Sequence, residues 1–157
     1  NYNPTNKTIN LSESVYASNS IAAAAVAAHE TGHAIQDAYG YAPLRVRSAL
    51  VPVISFASQW SFLLIIVGII LINTMPAIFW AGIALIALSA IFSVITLPVE
   101  YNASNRAMQW LEASGTLHGE ALQQAGTALR WAARTYLVAA LSAIATLLYY
   151  IGFARRD

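Results

Sequence analysis

From Ser48 to Val99 the chain runs for 52 residues without one Asp, Glu, Lys or Arg. A soluble helical bundle keeps a charged face on its surface helices, and a stretch this long without charge has none to offer. Roughly 20 apolar residues cross a bilayer core, so the stretch accommodates two spans. The break between them is "NTMP", residues 73 to 76, a turn signal between "VISFASQWSFLLIIVGIILI" and "AIFWAGIALIALSAIFSVITL". A tight helical hairpin follows from that reading. A third uncharged run, Thr135 to Ala154, is about one span long and ends at Arg155 and Arg156. The fold class expected is therefore mainly α, a multi-pass helical membrane protein with three spans in this chain.

Composition agrees and removes several functions. Hydrophobic residues make up 58% of the 157, above the roughly 45 to 50% of ordinary globular chains. A net charge of +1 gives no electrostatic footprint for nucleic acid, so no nucleic-acid partner is expected. With no cysteine in the chain, disulfides, thiolate zinc sites and cysteine nucleophiles are excluded. The opening "NYNPTNKTINLSES" is polar and does not read as a signal peptide.

Against this background "VAAHETGHAIQD", residues 26 to 37, is anomalous, because it sets two of the three histidines and a glutamate into a run of alanines. Good helix formers surround it, Ser18 to Ser20 offer a cap, and Gly40 is placed to end the helix. Its alanines are only weakly apolar and it carries Glu30 and Asp37, so it reads as a helix packed against other protein near the membrane surface, not as a span. Residues four apart share a helix face, so His29 and His33 present two imidazoles to one point with Glu30 beside it. This is the HExxH arrangement: two neutral imidazoles bind Zn²⁺, and the carboxylate takes a proton from water.

A catalytic zinc needs a third protein ligand. Downstream of His33 the candidates are Asp37, Glu100, Glu112, Glu120, Asp157 and His118. Glu100 is the first charge after the uncharged stretch, and a hairpin returns the chain to the side it left. Glu100 thus comes back to the face of the HETGH helix, with Ala103 one turn later, small enough for two helices to touch. His118 sits in the turn signal "SGTLHG" and reads as an exposed polar residue. Residues 99 to 112 are expected to form one helix, and 120 to 134 a second running into the third span.

These residues carry a family resemblance. "VYASNSIAAAAVAAHETGHAIQDAYGYAPLRVR", "LPVEYNASNRAMQWL" and "AARTYLVAALSAIATLLYY" together resemble the YugP-type neutral zinc metallopeptidases, integral membrane proteins of bacteria, over nearly the whole chain. The resemblance implies a gluzincin-like plan with one zinc per chain held by His29, His33 and Glu100, and with Glu30 as the catalytic glutamate. It implies peptide hydrolysis, with membrane-associated or unfolded proteins as substrates, the lipid bilayer as surroundings and other membrane proteins as further partners. Many gluzincins place an aspartate four residues after the ligand glutamate, behind the first histidine; this chain has Ser104 there. Ser104, Asn102 and Asn105 are the candidates to replace it. Arg106, Tyr101, Asn102 and His118 are candidates to stabilise a developing oxyanion. The family also implies a further apolar segment ahead of "NYNP", making this an N-terminally truncated chain with four spans in full.

The domain organisation expected is one membrane-embedded zinc peptidase domain: strand and HExxH helix over 1–47, transmembrane hairpin over 48–99, ligand helix and connecting helix over 100–134, third transmembrane helix over 135–154. "KTINLS", residues 7 to 12, alternates apolar and polar residues after the turn-forming "NPTN" and reads equally as a strand or an irregular lead-in. The resemblance favours a strand whose residues Thr8, Ile9, Asn10 and Leu11 align an extended substrate. Lys7, Arg45, Arg47, Arg106, Arg130 and Arg134 fall on the side of the HETGH helix, against Arg155 and Arg156 beyond the third span. The positive-inside rule then puts the active site in the cytoplasm, at the inner membrane. Two rival readings are a catalytically silent zinc-binding scaffold, which needs ligands but no Glu30, and an intramembrane metalloprotease, which needs an aspartate in a span where this chain has none.

Overall fold

The computed structural model describes residues 1–156. Its elements are β1 (Tyr2–Asn3), β2 (Thr8–Ile9), α1 (Glu13–Tyr16), α2 (Ile21–Ala38), α3 (Ala42–Ile70), α4 (Pro76–Ala113) and α5 (Gly119–Ala154). The mainly helical class is as expected, and α3, α4 and α5 are each long and apolar enough to cross a membrane. The chain divides into two compact units: Asn1–Arg45 with Leu97–Tyr136, and Val46–Thr96 with the chain from Leu137 onward.

The first unit is built on small side chains. Ala25 and Ala28 of α2, Ala107 and Leu111 of α4, and Ala125 and Leu129 of α5 form one buried cluster. Alanines three and four residues apart make a flat helix face, and a flat face lets a neighbouring backbone come close. The closest approach is at Gly32, where even a methyl group would overlap the carbonyl of Ala103. Ser20 caps α2, its hydroxyl accepting from the Ala23 N–H at 3.1 Å. At the other end Gly40 takes φ 68°, and the Tyr41 N–H returns to the Gln36 carbonyl at 2.9 Å, closing the helix as a Schellman motif does.

Residues 99 to 112 are not a separate helix. They continue the second apolar segment in a single 38-residue helix, α4, because nothing between Val99 and Ala113 breaks a helix and Pro98 is absorbed within it. At about 1.5 Å per residue α4 is about 57 Å long, well beyond a bilayer core of about 30 Å. The strand is shorter than expected, Thr8–Ile9 alone, and pairs antiparallel with a strand the sequence did not signal, Tyr2–Asn3, in register Tyr2↔Ile9 and Asn3↔Thr8. The intervening "PTNK" turn is closed with Lys7 at φ 56°.

The second unit has a sparser core, Ile65, Phe79 and Ile83, with Ile72, Ile86, Leu147, Tyr150 and Ile151 packed against it. Gly68 lies so near the backbone of Phe79 that a side chain there would overlap it. Outside this contact the unit's large apolar side chains face outward, among them Phe62, Ile70, Val138 and Leu148. In water such a surface would be costly; in hydrocarbon it is the expected one.

Candidate metal centre

Helix α2 holds its histidines by simple periodicity: His29 and His33 stand one turn apart, their ring centroids separated by 4.7 Å at 85°. The Gly32–Ala103 contact brings α4 against this face and sets Glu100, one turn before Ala103, opposite both rings. Nε2 of His29 lies 2.8 Å from Oε2 of Glu100, and Nε2 of His33 lies 3.6 Å from Oε1. The Glu100 carboxyl is 2% exposed, so no solvent shell supports it there.

The three residues form one group whose donor atoms all lie within 4.8 Å of one another. Two ligands of a tetrahedral zinc, each at roughly 2.0 to 2.1 Å, are separated by about 3.4 Å, and 2.8 and 3.6 Å bracket that spacing. The inner edges of both imidazoles are also occupied. His29 Nδ1 is 3.1 Å from the Ser104 hydroxyl, and His33 Nδ1 is 2.9 Å from Oε1 of Gln36. With Nδ1 engaged on each ring, Nε2 is the atom presented to Glu100. Two nitrogen donors and a carboxylate, supported from behind, form a donor set that could hold a divalent metal, zinc among them.

Glu30 stands next to His29 on α2, with Oε1 3.7 Å from the backbone nitrogen of Asn1, so the β-hairpin runs past this carboxylate. Of the three candidates behind His29, the structure brings only Ser104 to the ring. The Asn102 amide oxygen instead accepts from Gln36 Nε2 at 3.0 Å and from Arg106 Nε at 2.8 Å. Asn105 is exposed, and with Tyr101, Ser104, Met108 and Arg130 it lines a cavity of about 140 Å³ between α4 and α5. Arg106 is held by the rings of Tyr39 and Tyr41, at 5.6 and 5.8 Å, so neither it nor Asn102 is directed at the ligand group. His118 lies in the exposed turn beside Gly115, outside the ligand group.

In the hairpin, the Asn10 N–H donates to the Asn1 carbonyl at 2.7 Å. Paired residues in an antiparallel ladder alternate between bonded and non-bonded, so the Tyr2↔Ile9 pair is non-bonded and the Ile9 backbone groups point away from β1. Asn10 is thus spent within the hairpin, while Ile9 remains on its open edge. Two contacts lie outside the pattern that the sequence motifs signal. Gln36 is one turn beyond His33, and a buried amide at that spacing from a ligand histidine was the available signal. The Tyr2 hydroxyl donates to Asp37 at 2.6 Å, fastening β1 to α2. Burial, then the Asp37 hydrogen bond and charge, push the Tyr2 phenol up to about 12.

The described residues thus hold three helices long and apolar enough to cross a membrane and a His-His-Glu group that could hold a metal ion. The profile of the family described as "Putative neutral zinc metallopeptidase" matches residues 1–155, and the chain belongs to that family. It is 39% identical over 150 residues to a protein of Bacillus subtilis (strain 168) named "Putative membrane protease YugP". The match takes in 96% of this chain and 66% of that relative, so the chain spans just under two thirds of the relative's length. No solved structure matches.

Proposed function

We propose that the protein is a zinc-dependent membrane endopeptidase, with His29, His33 and Glu100 as ligands of one zinc and Glu30 as the general base. The observation that carries this is the convergence of the three donor atoms on one point, with Glu30 adjacent on the ligand helix. When bound, zinc supplies Lewis-acid chemistry, polarising a carbonyl and acidifying water. Glu30 takes the proton of the attacking water and hands it to the leaving amine, so that one peptide bond and one water become a carboxylate and an amine. The outward backbone groups of Ile9 give an extended substrate an edge to pair with, which calls for a flexible or unfolded segment because a folded one has no free backbone groups.

Glu30→Gln tests the reading directly. The amide cannot accept a proton, so the variant keeps stoichiometric zinc and loses peptide cleavage, and fragments dependent on Glu30 disappear when membrane proteomes of cells expressing the two forms are compared. Full cleavage by the variant overturns the mechanism. A silent scaffold, which needs ligands but no base, predicts that neither form cleaves anything. We further propose that the site faces the cytoplasm at the plasma membrane of a bacterium, from the excess of Lys and Arg on its side of the spans. Labelling of a cysteine introduced at Ser114 by a membrane-impermeant reagent in intact cells reverses that orientation.

A further inference from the structure

We propose that Gln36 is a positioning residue that sets both the tautomer of His33 and its spacing from Glu100, an inference that rests on the zinc site just proposed. Gln36 is fully buried, and each end of its amide meets a different ligand-bearing helix. Oε1 lies 2.9 Å from His33 Nδ1 on α2. Nε2 donates to the Val99 carbonyl on α4 at 2.8 Å, the peptide unit immediately before Glu100. One side chain therefore spans from the second histidine to the backbone that carries the third ligand.

The direction of every bond in this chain is settled by chemistry. A backbone carbonyl can only accept, so the group of Gln36 at Val99 is its NH₂. The same NH₂ donates to Asn102 Oδ1 at 3.0 Å. That oxygen also receives Arg106 Nε at 2.8 Å, and a guanidinium can only donate, so the Asn102 amide is oriented too. What faces His33 is then the carbonyl oxygen of Gln36, an acceptor without a proton. His33 Nδ1 must supply the proton, and in the neutral imidazole Nε2 is then the lone pair toward Glu100. Arg106 is itself braced by Tyr39 and Tyr41, so the polarity of the relay starts from a fixed cation. His29 has no such arrangement, because the Ser104 hydroxyl at its Nδ1 can donate or accept.

The test uses the full chain in detergent with ¹⁵N-labelled histidine, which gives signals from His29, His33 and His118 alone. In the wild type, His33 is expected as the Nδ1–H form, with Nε2 shifting when zinc is added. Gln36→Met, similar in volume and without a donor or carbonyl, is expected to lower zinc affinity by about 10- to 100-fold and to mix the His33 tautomers, leaving the His29 signal in place. Asn102→Leu removes the second acceptor of the Gln36 amide together with the acceptor of Arg106 Nε, but leaves the Val99 carbonyl to orient the amide, and is expected to change zinc affinity by less than about 5-fold. Wild-type His33 found as the Nε2–H form overturns the proposal even if Gln36→Met fails to fold. So does a folded Gln36→Met with unchanged affinity and tautomer. A wild type that binds no zinc removes the underlying zinc reading instead, so the two failures are distinguishable.

Discussion

Each unit of this molecule contains a place where one glycine lets two helices touch, and the two places differ in what the contact is for. In the first unit Gly32 admits the carbonyl of Ala103, within a turn of His29, His33 and Glu100. In the second, Gly68 admits the backbone of Phe79, and around it lie only Ile65, Ile83 and other apolar groups. The first contact sets distances among charged and polar donors; the second brings apolar surface together. Every histidine and carboxylate among the described residues belongs to the first unit. Chemistry here requires positions correct to a few tenths of an ångström, whereas apolar packing tolerates more.

Gly32→Ala is expected to have the largest effect of any single methyl group in the chain. Alanine gains about 1 kcal/mol of helix propensity over glycine, but overpacking against a rigid neighbour costs about 1 to 3 kcal/mol or more, and a backbone carbonyl cannot rotate away. Relief requires α2 and α4 to separate, while zinc ligands must stay within about 0.2 Å of their places. Zinc affinity should fall by at least about 100-fold, as read by competition with a chelator. Gly68→Ala is the matched control. It should lower thermal stability by a similar 1 to 3 kcal/mol and leave zinc stoichiometry and affinity unchanged. If Gly68→Ala also lost zinc, the division of labour between the two contacts would fail.

The same division decides how much could be read from the chain in advance. The apolar segments were legible because hydrocarbon acts on composition, and composition is visible residue by residue. His29, Glu30 and His33 were legible because helical periodicity alone places them. Glu100 followed from the topology of a hairpin, a coarse argument that needed no side-chain geometry. What stands behind the ligands was not legible: Ser104, Asn102 and Asn105 are all polar residues within one turn, and only the rotation of α4 selects Ser104 for His29. Gln36 and the Tyr2–Asp37 bond link residues 63 and 35 positions apart, which no local pattern announces. The continuity of α4 through Pro98 was hidden by a residue that usually ends helices.

Among the described residues, strands occur only in the first unit; in the second, helices satisfy their own backbone. The first unit alone therefore has an edge on which a second chain can pair. Ile9→Pro removes the outward N–H and leaves the Asn10–Asn1 bond intact. With zinc retained, KM for an extended peptide should rise by about 3- to 10-fold, the equivalent of one hydrogen bond. Proline at Asn10 breaks the hairpin itself and does not isolate the substrate contact. Unchanged KM for Ile9→Pro would show that β2 is structural, and the first unit would then be set apart by its proposed zinc site and not by any substrate edge.

The smallest effect expected is a pH dependence confined to the first unit. The Tyr2 phenol, raised from 10.0 to about 12 by burial and then by Asp37, is an acid whose neutral form the folded hairpin prefers. A group with a folded pKa above its unfolded one contributes stability that is fully present below the unfolded value, here about 10, and is lost as pH rises through the folded value, about 12. Attachment of β1 to α2 should thus hold through neutral pH and weaken only in that alkaline window. In Tyr2→Phe the window disappears, because the variant has no phenol to ionise and no bond to Asp37 at any pH. The two proteins should differ by about 1 kcal/mol or less in the opening of the hairpin below pH 10, followed by amide exchange at Ile9 and Asn10, and should converge near pH 12. Exchange in α3 should be the same in both proteins at every pH. If wild type and Tyr2→Phe opened alike at pH 8, the bond from Tyr2 to Asp37 would contribute nothing to holding the hairpin beside Glu30.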